Sequence, residues 1–299
     1  MARVRLATRG SRLALWQAEW VAKQLVQQGA EVELVVVETQ GDREKRPFAQ
    51  MQGQGFFTKA VQEAVLEGRA DFAVHSYKDL PSARPAGLEI AAVPPREDPR
   101  ELLLVRLQAV DQVAPGLPLR AGARVGSSAA RRQAQLAHLR PDLSLLELRG
   151  NVLTRVEKLR QGEYDAVLLA YAGVRRLGLD LSPFHWQVLP PTLLVPAPAQ
   201  GALALECRQD DKRLRPLLEP LDDPSAGVRC GGAGLMARLA GGCQLALGAL
   251  AQETPEGLQL LAWYRGRSYQ ARGSDPEAVA EAVFKEICSE YPEVVCESP

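Results

Sequence analysis

Polar and apolar positions alternate through "RVRLAT" (3–8), which predicts a short strand. Ser11 then stands where it can cap a helix whose apolar positions Leu15, Ala18, Ala22 and Leu25 are spaced 3-4-3. "EVELVVVE" (31–38) is a β-rich run, and "FFTKAVQEAVLEG" (56–68) has helical spacing closed by Gly68. "ADFAVH" (70–75) and "LEIAAV" (88–93) predict two further strands. Strands alternating with helices imply a mostly parallel sheet covered by helices. "PPREDPRE" (94–101) interrupts the pattern, and "ELLLV" starts a second series. In it "RVGSS" (124–128) joins a strand end to a helix running to about Leu139, and "LSLLELR" (143–149) is a strand. "NVLTRVEKLRQG" (151–162) is a helix with Val152, Val156 and Leu159 on one face. "YDAVLLA" (164–170) is a strand leading into the short helix "GVRRLG". Two α/β units with a linker near 94–101 follow from this pattern.

Beyond the proline-rich stretch 190–198 the pattern changes. "QLALGALAQ" (244–252), "LQLLAWYRG" (258–266) and "SYQARG" (268–273) predict antiparallel strands, with "ETPEG" as a hairpin turn. "DPEAVAEAVFKEICSE" (275–290) predicts a helix capped by Asp275, with Pro276 at its first position and Val279, Val283 and Ile287 recurring at +4. The last third therefore reads as a small α+β domain. No internal repeat is visible in the sequence.

Charge narrows the function classes. The 299 residues carry 36 basic and 36 acidic side chains, so no global field draws the chain to nucleic acid or an anionic membrane. No run approaches the ~20 apolar residues of a membrane helix, and "MARVRLATRGS" offers no apolar stretch for a signal peptide. A cytoplasmic protein is expected. The five cysteines form no CxxC, and His75, His138 and His185 are scattered, so no metal site is expected.

Of the basic residues 29 are Arg and only 7 are Lys. A GC-rich or heat-adapted genome produces the same bias, so position decides. Four strand-to-helix junctions carry Arg: "ATRGSR" (Arg9, Ser11, Arg12), "GSSAARR" (Ser127, Ser128, Arg131, Arg132), "LRGNVLTR" (Arg149, Asn151, Arg155) and "YAGVRR" (Arg175, Arg176). Such junctions lie at the carboxyl ends of parallel strands, where ligands bind and helix N-termini offer free N–H donors. Capping plus solvated surface Arg explains any one of them; four together point to a cleft for several anionic groups. No P-loop and no strand-linked GxGxxG occurs, which points to carboxylates or one small phosphate.

Asp79, in "VHSYKDLP" (74–81), lies beside Lys78 and near His75. An ionised carboxylate among cations suits a developing positive charge or an N–H donor; an Asx turn is the ordinary alternative. "GDREKRPFAQMQGQGFFTK" (41–59) is long enough to be a lid or a floppy insertion. "LAGGCQ" (239–244) sets Cys243 behind Gly241 and Gly242, with no ligand or pairing partner close by.

Taken in order, "LATRGSRLALWQA", "GQGFFTK", "ADFAVHSYKDLP", "REDPRE", "VGSSAARRQ", "LELRGNVLTRVEKL", "YDAVLLAYAGVRRLGL", "PAPAQGALALECR" and "LAGGCQLALGAL" resemble the porphobilinogen deaminase (hydroxymethylbilane synthase) family over nearly the whole chain. The resemblance implies two α/β lobes like those of periplasmic binding proteins, plus a C-terminal α+β domain with a small antiparallel sheet. It places domain 1 at 1–97 and 197–216, domain 2 at 102–192 and domain 3 at 220–299. It implies a transferase of porphyrin biosynthesis that joins four porphobilinogen molecules head to tail and releases four ammonia molecules. It implies a monomer. Its cofactor is a dipyrromethane, bound by a thioether to the cysteine matching Cys243; the glycine pair leaves room for that two-ring group.

By the same resemblance Asp79, Arg9, Arg149 and Arg155 assist the chemistry. Ser76, Lys78, Asp79, Ser127, Ser128, Arg131, Arg132 and Arg149 contact the cofactor; Arg9, Ser11, Arg149, Arg155 and Arg176 contact substrate. The arginines answer the acetate and propionate of each ring. Three departures stand out: Ala129 replaces a frequent Ser, Ala60 replaces a Glu, and "CGGAGLMARL" lacks an acidic-basic pair before the cysteine. A non-catalytic two-lobed oxyanion-binding protein is the competing reading, and needs neither Cys243 nor Asp79. A thiol redox switch would need a resolving cysteine nearby.

Overall fold

The computed structural model describes residues 2–39, 57–82, 85–114, 116–229, 232–239 and 245–293. In chain order the elements begin β1 (Arg3–Arg9), α1 (Arg12–Gln27), β2 (Glu31–Val37), α2 (Lys59–Leu66), β3 (Phe72–Ser76), β4 (Leu88–Ala92) and β5 (Glu101–Val105). They continue with β6 (Arg124–Gly126), α3 (Ala130–Leu139), β7 (Ser144–Leu146), α4 (Val152–Arg160), β8 (Ala166–Ala170), α5 (Tyr171–Leu177) and β9 (His185–Leu189). The remainder is β10 (Leu203–Arg208), α6 (Arg215–Leu218), α7 (Pro224–Arg229), α8 (Gly232–Arg238), β11 (Leu247–Thr254), β12 (Gly257–Tyr264), β13 (Arg267–Gly273) and α9 (Pro276–Glu290). Two compact units result, 1–97 with 201–230 and 98–200 with 231–299.

The first unit holds a five-stranded sheet in the order β2-β1-β3-β10-β4. β1 runs parallel to β2 and β3, whereas β10 is antiparallel to both β3 and β4. The second unit repeats this plan as β7-β6-β8-β5-β9, with β5 antiparallel to β8 and β9. The α/β class expected from the pattern is present, and each sheet is mostly parallel: four strands run one way and a single inserted strand, β10 or β5, runs against them. The reason is that β5 and β10 each follow a passage between the units and enter against the local chain direction. The repeat, invisible in sequence, extends to single contacts. Asp71, just before β3, accepts from Arg5 N at 2.7 Å and pairs with the Arg5 guanidinium. Asp165, just before β8, accepts from Arg124 N at 2.9 Å and pairs with the Arg124 guanidinium.

Sequence logic explains most elements. Ser11 accepts from Ala14 N and caps α1, and Ala18, Val21 and Leu25 bury against Leu6, Phe72 and Leu205. Val21 belongs to this stripe, while Leu15 and Ala22 of the predicted stripe are only half-buried. Val61, Ala64 and Val65 of α2 cover the opposite face against Ala7 and Ala73. Val156 and Leu159 of α4 are buried and Val152 partly so. Two strands escaped the pattern. β10 is buried along nearly its whole length, and a strand covered on both faces shows no alternation. β9 is an edge strand whose outer residues are polar or half-exposed.

The C-terminal sheet is antiparallel, β11-β12-β13, with the predicted hairpin between Thr254 and Gly257. Asp275 caps α9 through Glu277 N and Ala278 N, and Val279, Val283 and Ile287 are buried. α8, whose packing the missing acidic-basic pair left open, is tied to α9 by Arg238. Its guanidinium reaches Glu277 and Glu281, each at 2.8 Å. No helix among the described residues is long and apolar enough to cross a membrane.

Candidate functional site

In the first unit a pocket opens where β1 and β3 end. Arg9, Ser11, Gln17, Phe57, His75, Ser76 and Asp79 line it. Arg9 is the last residue of β1, and its guanidinium lies 4.2 Å from the centroid of the Phe57 ring. That is cation–π range and fixes where the charge sits. Ser76 ends β3, and its hydroxyl accepts from Gln17 Nε2 at 3.0 Å. Gln17 is buried on the inner face of α1.

Asp79 closes a 3-10 turn, Tyr77–Asp79, anchored by Tyr77 N donating to Ala202 O at 3.0 Å. The carboxylate is half-buried and accepts no hydrogen bond among the described residues. The Asx turn weighed as its ordinary role is therefore not formed, and its oxygens are available to a ligand. Lys78 shares the turn.

Behind this pocket lies a second polar group. Glu206 of β10 is fully buried; its Oε1 accepts from Gln62 Nε2 at 3.0 Å, and its Oε2 lies 3.0 Å from His75 Nε2.

In the second unit the carboxyl ends of β6, β7 and β8 share one edge, because these strands are parallel neighbours. Three of the four arginine junctions fall there. Ser127 is buried and its hydroxyl accepts from Ala129 N at 3.3 Å. Ala129 occupies the cap position of α3 without a side-chain cap, and the Ser127 bond holds the amide of that cap residue. The Ser128 hydroxyl donates to Leu148 O. Arg149 is half-buried between β7 and α4, and Gly150, at φ +109°, leaves no room for a Cβ beside Thr154. Asn151 caps α4, and Arg155 Nε donates to Gly150 O at 2.8 Å. Arg176 is half-buried in the last turn of α5.

Arg131 and Arg132 are buried, and both grip Glu101, which is wholly inaccessible. Arg131 Nη2 lies 2.5 Å from Oε1 and Arg132 Nη2 lies 2.7 Å from Oε2. Gln200 Nε2 donates to Glu101 Oε1 at 3.0 Å and to Pro99 O at 2.8 Å. Burial pulls the Arg131 guanidinium down to about 10; Glu101 opposes this and the like charge of Arg132 adds to it. Two guanidiniums on one carboxylate leave a positive excess in a dry place. Arg132 Nε is buried without a hydrogen-bond partner among the described residues. Such a donor fits an anionic group such as a carboxylate of a dipyrromethane.

The structure thus gathers Arg9, Ser11, Ser76, Lys78 and Asp79 in one unit. It gathers Ser127, Ser128, Arg131, Arg132, Arg149, Arg155 and Arg176 in the other. Cys243 and the segment 41–56 lie outside the described residues. Among the described residues no group of three or more His, Cys, Asp or Glu is placed to hold a metal ion. Sequence reasoning missed Gln17, Phe57, Gln62, Glu101, Gln200 and Glu206. A carboxylate inside an apolar strand, as in "LALEC", was the available signal for Glu206.

A family model described as porphobilinogen deaminase, dipyromethane cofactor binding domain, matches residues 4–216. The porphobilinogen deaminase of Syntrophotalea carbinolica is 43% identical over 288 residues, covering 94% of this chain and 89% of that protein. That of Geobacter sulfurreducens is 44% identical over 263 residues, covering 86% and 80%. Among solved structures, the periplasmic VFT2 domain of Bordetella pertussis BvgS is 17% identical with a TM-score of 0.42, covering 72% of this chain and 85% of that one.

Proposed function

The chain belongs to the porphobilinogen deaminase family, and from that premise we propose that it is a transferase joining four porphobilinogen molecules into linear hydroxymethylbilane with loss of four ammonia molecules. The observation that carries this reading is the family match together with the Asp79 carboxylate, which accepts no hydrogen bond among the described residues, in a pocket shared with Arg9. Dipyrromethane, joined to the Cys243 sulfur, supplies the free ring carbon on which the product is built. Asp79 holds pyrrole N–H donors and stabilises the cation left when a substrate loses ammonia. Arg9, stacked on Phe57, faces a substrate carboxylate with Ser11, and Ser76 and Lys78 hold the cofactor beside Asp79. Ser127, Ser128, Arg131 and Arg132 take cofactor carboxylates, and Arg149, Arg155 and Arg176 take those of incoming rings. We assign three domains, 1–97 with 197–216, 102–192 and 220–299, in a cytoplasmic monomer.

Intact mass and turnover test the reading. Purified protein exceeds its sequence mass by two pyrrole units, and Cys243→Ala removes the excess. Asp79→Asn keeps the adduct and loses turnover. An active protein of unmodified mass refutes the cofactor assignment, and a full-rate Asp79→Asn refutes the acid. An unmodified chain that binds a small oxyanion without turnover is the non-catalytic alternative.

A further inference from the structure

His75 and Glu206 form a pair for which packing gives no reason. Both are nearly inaccessible, at 5% and 0%. His75 lies on β3 opposite Ala204, and Glu206 lies two residues further along β10. Their side chains therefore share the sheet face that α2 covers. The other residues packed there are apolar, among them Ala7 and Ala73 of the sheet and Val61 and Val65 of α2. A buried carboxylate costs stability that an apolar residue of its size would not. Gln62 and His75 are its only partners among the described residues. His75 reaches from this pair to the wall of the pocket that holds Asp79.

We propose that His75, oriented by Glu206, is the proton carrier of the Asp79 pocket. A neutral imidazole bears one proton. His75 Nε2 and Glu206 Oε2 are both buried without an aligned hydrogen bond among the described residues; with the two atoms 3.0 Å apart, the acceptor-only carboxylate draws that proton to Nε2 and leaves Nδ1 as a base. A carboxylate plays this role toward histidine in hydrolytic triads, with the two nitrogens exchanged. The inference rests on the deaminase reading, whose chemistry supplies the proton. In each addition the substrate's C–N bond breaks and its electron pair leaves with ammonia. A C–C bond forms with the pair of the attacking ring carbon, which then sheds its proton. His75 accepts that proton at Nδ1, Glu206 stabilises the imidazolium, and ammonia takes the proton up as ammonium. Atoms and charge balance without another reactant. Glu206 is the positioning residue.

Nitrogen-15 NMR of the holoenzyme with labelled histidine reads the tautomer, and the chain has only three histidines. His75→Gln identifies the His75 signals by their loss. The expected result at assay pH is the Nε2–H tautomer. Per mole of enzyme bearing the two-pyrrole adduct, His75→Gln lowers kcat by about 100-fold, at the low end for general base catalysis. Glu206→Gln fits the same space and lowers kcat by about tenfold, with KM unchanged, because a neutral amide stabilises an imidazolium poorly. An imidazolium or Nδ1–H form in the wild type overturns the proposal. So does a His75→Gln rate within twofold of wild type once normalised to adduct. Should His75→Gln fail to fold, His138→Gln and His185→Gln assign the His75 signals by elimination, and the wild-type tautomer with the Glu206→Gln rate decides. A wild type without adduct or bilane product instead refutes the deaminase reading itself.

Discussion

Replacing Asp165 by Asn tests how each sheet is held together at the end away from the site. Asp165 is 3% exposed. Its Oδ2 accepts from Arg124 N at 2.9 Å and Nε at 3.2 Å, its Oδ1 accepts from Nη2 at 3.2 Å, and Arg120 Nη2 lies at 3.4 Å. Burial alone would raise its pKa. The Arg124 side-chain and amide hydrogen bonds, with the charges of Arg124 and Arg120, outweigh burial and hold it at about 2, against an ordinary 3.8. The difference corresponds to about 2 kcal/mol of folding stability. Because the folded pKa is the lower one, this stability is present above the unfolded value and is lost as pH falls through the folded one. About half remains near pH 3. Urea unfolding of wild type and Asp165→Asn, followed by the fluorescence of Trp186 and Trp263 in the same unit, gives the comparison. The variant is less stable by about 2 kcal/mol at pH 7, and the gap shrinks to about 1 kcal/mol near pH 3. Equal stabilities at pH 7, or a gap independent of pH, would falsify the assignment of this stability to the ionised carboxylate.

Two further outcomes follow from buried groups. Glu101→Gln leaves Arg131 and Arg132 without their shared counter-charge; calorimetry shows a loss of about 3 kcal/mol, and intact mass shows a smaller adduct-bearing fraction. Burial, with the charges of Glu89 and Asp211, pushes the Cys207 thiol up to about 11, so iodoacetamide at pH 8 leaves Cys207 unlabelled in folded protein and labels it in urea.

Elements with an amphipathic period were legible, and so were their caps: Ser11, Asn151 and Asp275 each cap the helix they precede. The strands β9 and β10 were not: β10 is buried on both faces and shows no period, and β9 buries only Leu189, which leaves too little contrast to read. The one reversed strand in each sheet could not be read locally, because strand direction depends on which neighbour a segment finds after crossing between units. Motifs and junctions marked Asp79, Arg9 and the arginines of the second unit. The residues that hold them did not stand out. Gln17, Phe57 and Gln200 are ordinary in type, and their roles come from partners 59, 48 and 99 positions away: Ser76, Arg9 and Glu101.

One regularity joins the two sheets. Each receives a single antiparallel strand, β5 or β10, and each of these carries one fully buried glutamate, Glu101 or Glu206. Glu101 pairs across with Ala170 at the end of β8, and β10 begins opposite Ser76 at the end of β3. Both strands therefore enter at the edge where the parallel strands deliver their junction loops. A leucine at either position would cost less desolvation and still pack. What a carboxylate adds is direction: Glu101 fixes two guanidiniums, and Glu206 fixes one imidazole. A ligand with several carboxylates needs its cations oriented before it arrives, since each guanidinium that must be ordered on binding subtracts from affinity. The inserted strands are thus where the fold spends stability on the site, and substitutions there will separate loss of orientation from loss of folding more cleanly than substitutions of the arginines themselves.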